Sequence, residues 1–412
     1  MNGKNHKNPK KKSIANQTMN KQLTYLDHAA STPLDPRVKE TMDQCEHLFG
    51  NPGSANQIGK QAQALVENAR KRIGEILGCG PHEIIFTAGG TESINLAIQG
   101  IAKRARQGHI ITTQVEHHAV LETCKQLEKE GFTISYLPVD GKGFLKPDVL
   151  NAELDKHSNT ILVTVMYANN EIGTINSIKE LAPVARARNV PFHTDACQAG
   201  QLCLDIAELG IDMMSLNGSK IYGPKGVGVL YKKAFIKIDP VTYGGGQEFG
   251  LRSGTENVAG IVGFAKALEL IQEEREEEEQ RLHLLQKQLM QGLLQISGTK
   301  LNGPEPLSAL RVVNNVNIAF PGIEAVALLE LLDKEGICAS TGAACTTGNM
   351  EPSHVLLAVT QDYEIAQGSI RFTLGKATTE ADIIRTIDIV KQCVEALRKS
   401  SQRVGVIQQV IA

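Results

Sequence analysis

Apolar residues fall in short runs from residue 83 onward. Ile84-Ile85-Phe86, Ile110-Ile111-Thr112, Ile134-Ser135-Tyr136-Leu137 and Ile161-Leu162-Val163-Thr164-Val165 come first, then Phe192-His193-Thr194, Met213-Met214-Ser215-Leu216 and Val227-Gly228-Val229-Leu230. Most are separated by stretches with helical spacing, such as 120–130 and 178–188. Strand, helix, strand at a repeat of roughly 25 residues predicts a mostly parallel sheet covered by helices, an α/β fold. Before it, residues 61–77 place Ala62, Leu65, Ala69, Ile73, Ile76 and Leu77 three to four apart, which predicts an amphipathic helix. Residues 25–34 read as a short extended segment ending in a proline turn, and 51–54 as a polar turn. Glutamates crowd residues 269–281, which predicts a solvated charged helix connecting two domains. The apolar end, 404–412, predicts a terminal helix or strand packed on the body.

Ligands of such sheets bind beyond the carboxyl ends of the strands, so the polar residues there are the candidates for chemistry. Thr87-Ala88-Gly89-Gly90-Thr91 precedes a helical pattern and can bind an anion through backbone N–H groups, although Gly-Gly-Thr is also an ordinary N-cap. His117 and His118 are adjacent, so they point in different directions; a cap, a surface role or a ring stacked on an aromatic ligand fits them better than a metal. Asn169-Asn170-Glu171-Ile172-Gly173 reads as a turn that can also offer directional hydrogen bonds. Asp195 ends a buried-looking strand and needs a partner there, either a cation or a protonated ring nitrogen. Lys220 lies in the glycine-rich loop Asn217-Gly218-Ser219-Lys220, between two predicted strands. A lone loop lysine is ordinarily solvated. Together with an anion loop, a stackable ring and a buried aspartate, it completes the set that pyridoxal phosphate requires: an amine for the aldehyde, a carboxylate for the pyridine nitrogen, and a helix end for the phosphate.

Composition narrows the class without changing it. The 412 residues suffice for two domains, and 42% hydrophobic with 21% charged residues is ordinary for a globular protein. A formal net charge of −2 argues against a nucleic-acid surface spread over the chain. No apolar run is long enough to cross a bilayer. Residues 1–22 carry lysines without an apolar core, which reads as a flexible basic tail rather than a signal peptide and places the protein in the cytoplasm. The eight cysteines are scattered, with no CxxC pair, as in reduced proteins. Cys345 differs from the rest: Ser340-Thr341-Gly342-Ala343-Ala344-Cys345-Thr346-Thr347-Gly348 is small and polar, a loop in which a thiol can be reactive.

From residue 25 to about 398 the chain closely resembles the cysteine desulfurases of the NifS/IscS type, within the class V aminotransferases of pyridoxal-phosphate fold type I. The matching stretches include 26–35, 51–59, 86–96, 116–120, 169–173, 193–198, 220–226, 244–255, 339–354 and 369–375. The resemblance implies a large cofactor domain over 37–275 with a mostly parallel sheet, and a smaller α+β domain from 23–36 and 276–412 that carries the cysteine loop. It implies pyridoxal 5'-phosphate bound to Lys220, with Asp195 on the ring nitrogen, Gln198 on the phenolic oxygen and His117 stacked on the ring. Gly90, Thr91, Asn217 and Ser219 would hold the phosphate, and Thr255 would reach the phosphate site of a second subunit in a homodimer. Asn170 and Arg371 would bind the carboxylate of L-cysteine. Lys220 would move the Cα proton, His117 would shuttle protons, and Cys345 would take the sulfur as a persulfide, leaving L-alanine. The sulfur would pass to an acceptor protein for iron–sulfur cluster, thio-cofactor or tRNA biosynthesis, with no membrane or direct nucleic-acid partner. No resident metal is implied, although Cys345 could ligate a transferred cluster.

Three residues depart from the family pattern: Ser219 stands where a histidine is usual, Phe249 where many members have arginine, and Asn56 where histidine is usual. The chain's end also differs from the tail that housekeeping members present to their scaffold. The alternatives are a selenocysteine lyase, another class V aminotransferase, or a non-catalytic sulfur-relay homologue.

Overall fold

Every predicted strand forms, with its ends displaced by a residue or two. The computed structural model describes residues 22–45, 47–306, 308–342 and 352–411, the stretch from 401 onward as backbone only. The strands are β1 (Thr24–Tyr25), β2 (Ile84–Thr87), β3 (His109–Thr113), β4 (Thr133–Leu137), β5 (Thr160–Thr164), β6 (Phe192–Asp195), β7 (Met213–Asn217), β8 (Gly228–Lys232), β9 (Lys300–Leu301), β10 (Asn315–Ala319), β11 (Ile337–Cys338) and β12 (Ser369–Thr373). Seven of them make one sheet in the order β2-β8-β7-β6-β5-β3-β4. It is parallel except at β8, which runs antiparallel to both β7 and β2. The direct connection from β7 explains β8: the short loop through Lys220 leaves no room for a crossover helix, so the chain must turn back.

Side chains alternate across this sheet, and both faces are apolar. Ile84, Phe86, Ile111, Val163, Met214, Val229 and Tyr231 belong to one buried cluster, whereas their neighbours Ile85, Ile110, Leu162, Met213 and Leu230 belong to another. Burial on both faces is why these strands read as continuous apolar runs rather than as alternating ones. The predicted helix at 61–77 begins earlier, spanning Gln57–Leu77, because the Asn56 side chain caps it by accepting from the Gly59 N–H at 2.8 Å.

A second core lies outside that sheet. The antiparallel sheet β12-β10-β9 contributes Val316, Ile318, Ile370 and Phe372 to a cluster with Leu26, Leu289, Leu328, Ile337 and Val390. The β1–β11 pair is a separate two-stranded parallel sheet. Chain from residue 23 onward thus packs with chain from beyond residue 276, as does the helix Glu380–Ile411 through its described residues. The predicted charged helix at 269–281 is two helices, Val258–Glu273 and Arg275–Leu294. At the break, Glu274 is paired with Arg37 and, at 2.6 Å, with Lys376. The acidic run therefore ties three segments together rather than being only a solvated connection.

Candidate active site

The carboxyl ends of the large sheet's parallel strands converge on one cavity of about 320 Å³. Gly90, Thr91, His117, Asn170, Asp195, Gln198, Asn217, Lys220 and Arg371 all line it. Ser219 and Thr255 are not on its wall, and Thr255 is exposed. Cys345 lies outside the described residues.

Each side chain is fixed by the element that delivers it. Asp195 is the last residue of β6; its carboxylate accepts from the Cys197 N–H at 3.0 Å and is 5% exposed, so it is held at the cavity floor. His117 caps the helix His118–Lys129, its Nδ1 accepting from the Ala119 N–H at 3.0 Å. That bond leaves the ring proton of the neutral form on Nε2. The helix Gly90–Ala105 starts at the cavity edge, where its first-turn N–H groups have no intrahelical acceptor. A Cβ at Gly90 would stand 2.5 Å from the Cys197 sulfur, so glycine is needed for this close approach. Lys220 ends the short turn after β7, and its Nζ donates to the carbonyls of Ala29, at 2.8 Å, and Ala30. Gln198 Nε2 donates to the same Ala29 carbonyl at 2.9 Å. The segment after β1 thereby orients two of the cavity's polar groups.

Arg371, on β12, enters from the smaller sheet. Its Nη2 pairs with Asp27 Oδ1 at 2.7 Å and its Nη1 donates to the Asn170 carbonyl at 3.0 Å. The guanidinium is buried, and its Nε has no partner among the described residues. Asp27 is a residue that sequence reasoning missed; nothing local marks an aspartate as the partner of an arginine 344 positions away. Glu116 was missed as well. It is fully buried behind His117, and burial, with a smaller contribution from the Asp195 charge, pushes its carboxyl up to about 8. Its position directly before a strand-end histidine was the only available signal.

At the other end of the sheet, His109, Glu153 and His157 come together. Both nitrogens of His109 are hydrogen-bonded, to Thr160 Oγ1 and Ser135 Oγ at 2.9 Å each, and its ring stacks on His157 with centroids 3.9 Å apart. Stacked rings do not direct their lone pairs at a common point, so this cluster reads as packing.

Residues 24–385 match the class-V aminotransferase family. A cysteine desulfurase IscS from Dictyoglomus turgidum is 47% identical over 386 residues, spanning 92% of this chain and 97% of that one. The chain belongs to the class-V aminotransferases and, among them, to the cysteine desulfurases. Of solved structures, a NifS-like protein superposes with a TM-score of 0.85 at 37% identity, covering 91% of this chain and all of its own. SspA, solved in complex with cysteine, gives 0.75 at 34% identity, covering 85% of this chain and 98% of its own.

Membership in this family implies dependence on pyridoxal phosphate, and the cavity's donors suit that group. A carboxylate sits on the floor, an amine at the side, an imidazole on the wall, and a helix N-terminus beside the Asn217 amide where a phosphate would need N–H groups.

Proposed function

We propose that this chain is a pyridoxal-phosphate-dependent cysteine desulfurase that converts L-cysteine to L-alanine and collects the sulfur on Cys345. The observation that carries the reading is that Lys220, Asp195, His117 and Arg371, drawn from two different sheets, face a single cavity. The bound cofactor supplies an aldehyde for amines and a ring that accepts electrons from the substrate's Cα. The Asp195 carboxylate on the cavity floor favours a protonated ring nitrogen. Gly90, Thr91 and Asn217 hold the phosphate, with Ser219 acting through Asn217, whose Oδ1 accepts from the Ser219 N–H and hydroxyl at 3.3 Å each. Gln198 faces the phenolic oxygen.

Arg371 and Asn170 grip the carboxylate of L-cysteine, the planar guanidinium matching it. Lys220 takes the Cα proton, and His117, with its proton on Nε2, relays protons beside it. The Cys345 thiolate attacks the substrate sulfur; the carbon–sulfur bond breaks, a sulfur–sulfur bond forms, and the three-carbon product leaves as alanine after protonation. The division into 37–275 and 23–36 with 276–412 puts the cofactor on the larger unit and the thiol on the smaller. The exposed Thr255 supports a homodimer in which that residue serves the second copy's phosphate site. The persulfide sulfur passes to an acceptor protein, and the enzyme works in the cytoplasm. Among the described residues, no helix is long and apolar enough to cross a membrane.

The test is direct. The holoenzyme with L-cysteine and a thiol reductant should release sulfide and alanine in equal amounts. Cys345→Ala should keep the cofactor's visible absorbance and stop sulfide release; unchanged turnover in that variant would overturn the persulfide route.

A further inference from the structure

Glu171 follows Asn170 in the chain and is 3% exposed. Its carboxylate touches two points that are far apart in sequence. The Ser353 hydroxyl donates to Oε2. A Cβ on Gly342 would stand 2.6 Å from the same oxygen, so the backbone at 342 reaches the carboxylate because no side chain intervenes. Its φ of +86° is also a conformation that favours glycine. Residue 353 is thus hydrogen-bonded to this carboxyl group and the backbone at 342 packs against it; in sequence, Cys345 lies between the two.

The same structure joins this anchor to the carboxylate grip. Ser340 exchanges backbone hydrogen bonds with Arg371, 3.1 Å in one direction and 2.6 Å in the other, and the Ser340 hydroxyl accepts from the Gly342 N–H at 3.1 Å. Arg371 in turn donates to the carbonyl of Asn170. Glu171's own backbone is immobilised: its N–H donates to Asn169 Oδ1 at 2.9 Å, and its carbonyl accepts from Asn315 and Asn317 at 3.1 and 3.0 Å. Buried Arg311 holds the next carbonyl, that of Ile172, at 3.0 Å. Burial raises the Glu171 carboxyl above its ordinary range, and the Ser353 bond and the Arg371 charge oppose that shift. A buried carboxyl kept under these conditions needs a positional reason.

We infer that Glu171 is a positioning residue for sulfur transfer: bonded to Ser353 and packed against the backbone at 342, beside Asn170 and Arg371, it sets where the described ends of the thiol-bearing chain stand relative to the bound substrate. The inference rests on the desulfurase reading given above. It separates two steps that share a cavity. Cofactor binding and substrate binding use Lys220, Asp195, Asn170 and Arg371 directly, whereas transfer to Cys345 also requires the anchor.

The test uses full-length holoenzyme and four variants: Glu171→Ala, Glu171→Gln, Ser353→Ala and Gly342→Ala. In a single turnover with L-cysteine, persulfide on Cys345 is trapped by alkylation and counted by mass spectrometry. Glu171→Ala, Ser353→Ala and Gly342→Ala should slow its formation by about 10- to 100-fold, the scale of a misplaced reacting group. In Glu171→Ala and Ser353→Ala the cofactor absorbance and the affinity for L-alanine, read from the absorbance change, should stay within about twofold of the parent, a split that general loosening of the fold would not give; Gly342 lines the cavity, so its variant is read for the rate alone. Glu171→Gln retains an acceptor oxygen of the same shape and should keep the rate within about threefold. Ser353→Ala also removes the cap of the helix His354–Thr360, so its loss should not add to that of Glu171→Ala in the double variant if both act through one bond. Should Glu171→Ala fail to fold, Ser353→Ala decides. Persulfide formation at the parental rate in that variant, or an equal loss of L-alanine binding, overturns the anchor. A parent enzyme that forms no persulfide at all would instead overturn the desulfurase reading.

Discussion

The site is assembled in two ways, and the contrast is instructive. Gly90, His117, Asn170, Asp195, Asn217 and Lys220 arrive at or just beyond the ends of strands in one sheet, and all face one cavity within a single chain. Thr255 and Cys345 arrive on long connections: Thr255 is exposed and off the cavity wall, and Cys345 lies outside the described residues. A parallel sheet buried on both faces fixes its strand ends to within the tolerance that covalent cofactor chemistry needs. The described parts of those connections are tied by side chains instead, such as the Arg70–Glu248 pair in the stretch before Thr255 and the Ser353–Glu171 bond. In the proposed function, binding and activation of substrate belong to the first group, and sulfur leaves through the second.

The largest effect should come from the strand-end group. Lys220→Ala should lower turnover by about 10⁴-fold or more if, as proposed, Lys220 provides both the covalent attachment and the proton transfer. Borohydride reduction followed by peptide mass spectrometry should find a pyridoxyl adduct on Lys220 in the parent and none in the variant. An adduct on another lysine in the parent would break the comparison at its root.

The connection group can be broken through stability instead. Arg70 and Glu248 pair at 2.7 Å with side chains 3% and 2% exposed, and Glu248 also accepts from the Phe86 N–H at 2.7 Å. Glu248 and Phe249 both hold positive φ, +47° and +60°, which costs a non-glycine residue about 1 kcal/mol or more. The bond to β2 is what makes that turn persist. Glu248→Gln leaves Arg70 charged and underpaired, so unfolding in urea should show a loss of about 3 kcal/mol. A change below about 1 kcal/mol would mean that the 244–255 connection is not pinned through this pair.

These two cases show where sequence reasoning reached and where it stopped. Strand ends are legible because apolar runs mark the strands and the polar residue that follows each run is where ligands bind. Asp195 and Lys220 could be placed at one site from that rule alone. The partners Asp27, Glu116, Glu171 and Glu248 could not, because each meets its counterpart through tertiary packing that leaves no period or spacing in the chain. The split of the acidic helix at Glu274 was hidden for the same reason: its cause is the pairing with Arg37 and Lys376.

Glu116 offers a smaller, pH-dependent test of how the strand-end wall is built. Its carboxyl titrates near 8 in the folded chain and at its ordinary value of 4.5 when unfolded. Between those values the folded state holds a proton that the unfolded state has released, so stability falls as pH rises and levels off above about 8. His28, His109 and His193, each pushed down to about 4 chiefly by burial, act with the opposite sign below 6.5. The clean window is therefore above 6.5. From pH 6.5 to 8 the parent should lose about 2 kcal/mol relative to Glu116→Gln, whose neutral amide cannot titrate. Parallel stability–pH curves for the two proteins would show that the buried acid is not protonated.

The smallest effect concerns Ser219, where the strand-end group departs from its family. The Ser219 hydroxyl is turned to Asn217 Oδ1 at 3.3 Å and is not on the cavity wall, so in the proposed function it supports the phosphate site at one remove. A histidine there would place a ring N–H one residue before Lys220, within the same short turn that Asn217 opens. One added neutral hydrogen bond is worth about 1 kcal/mol, which corresponds to about fivefold tighter cofactor binding. Protonation of the imidazole, with an unperturbed pKa near 6.5, would make that bond charge-assisted, so the gain should grow as pH falls from 8 toward 6.5. Reconstitution of apo Ser219→His with pyridoxal phosphate, followed by visible absorbance at both pH values, gives the affinity directly. Equal or weaker binding than the parent at both pH values would mean that position 219 does not address the phosphate, and that the family's histidine has another task.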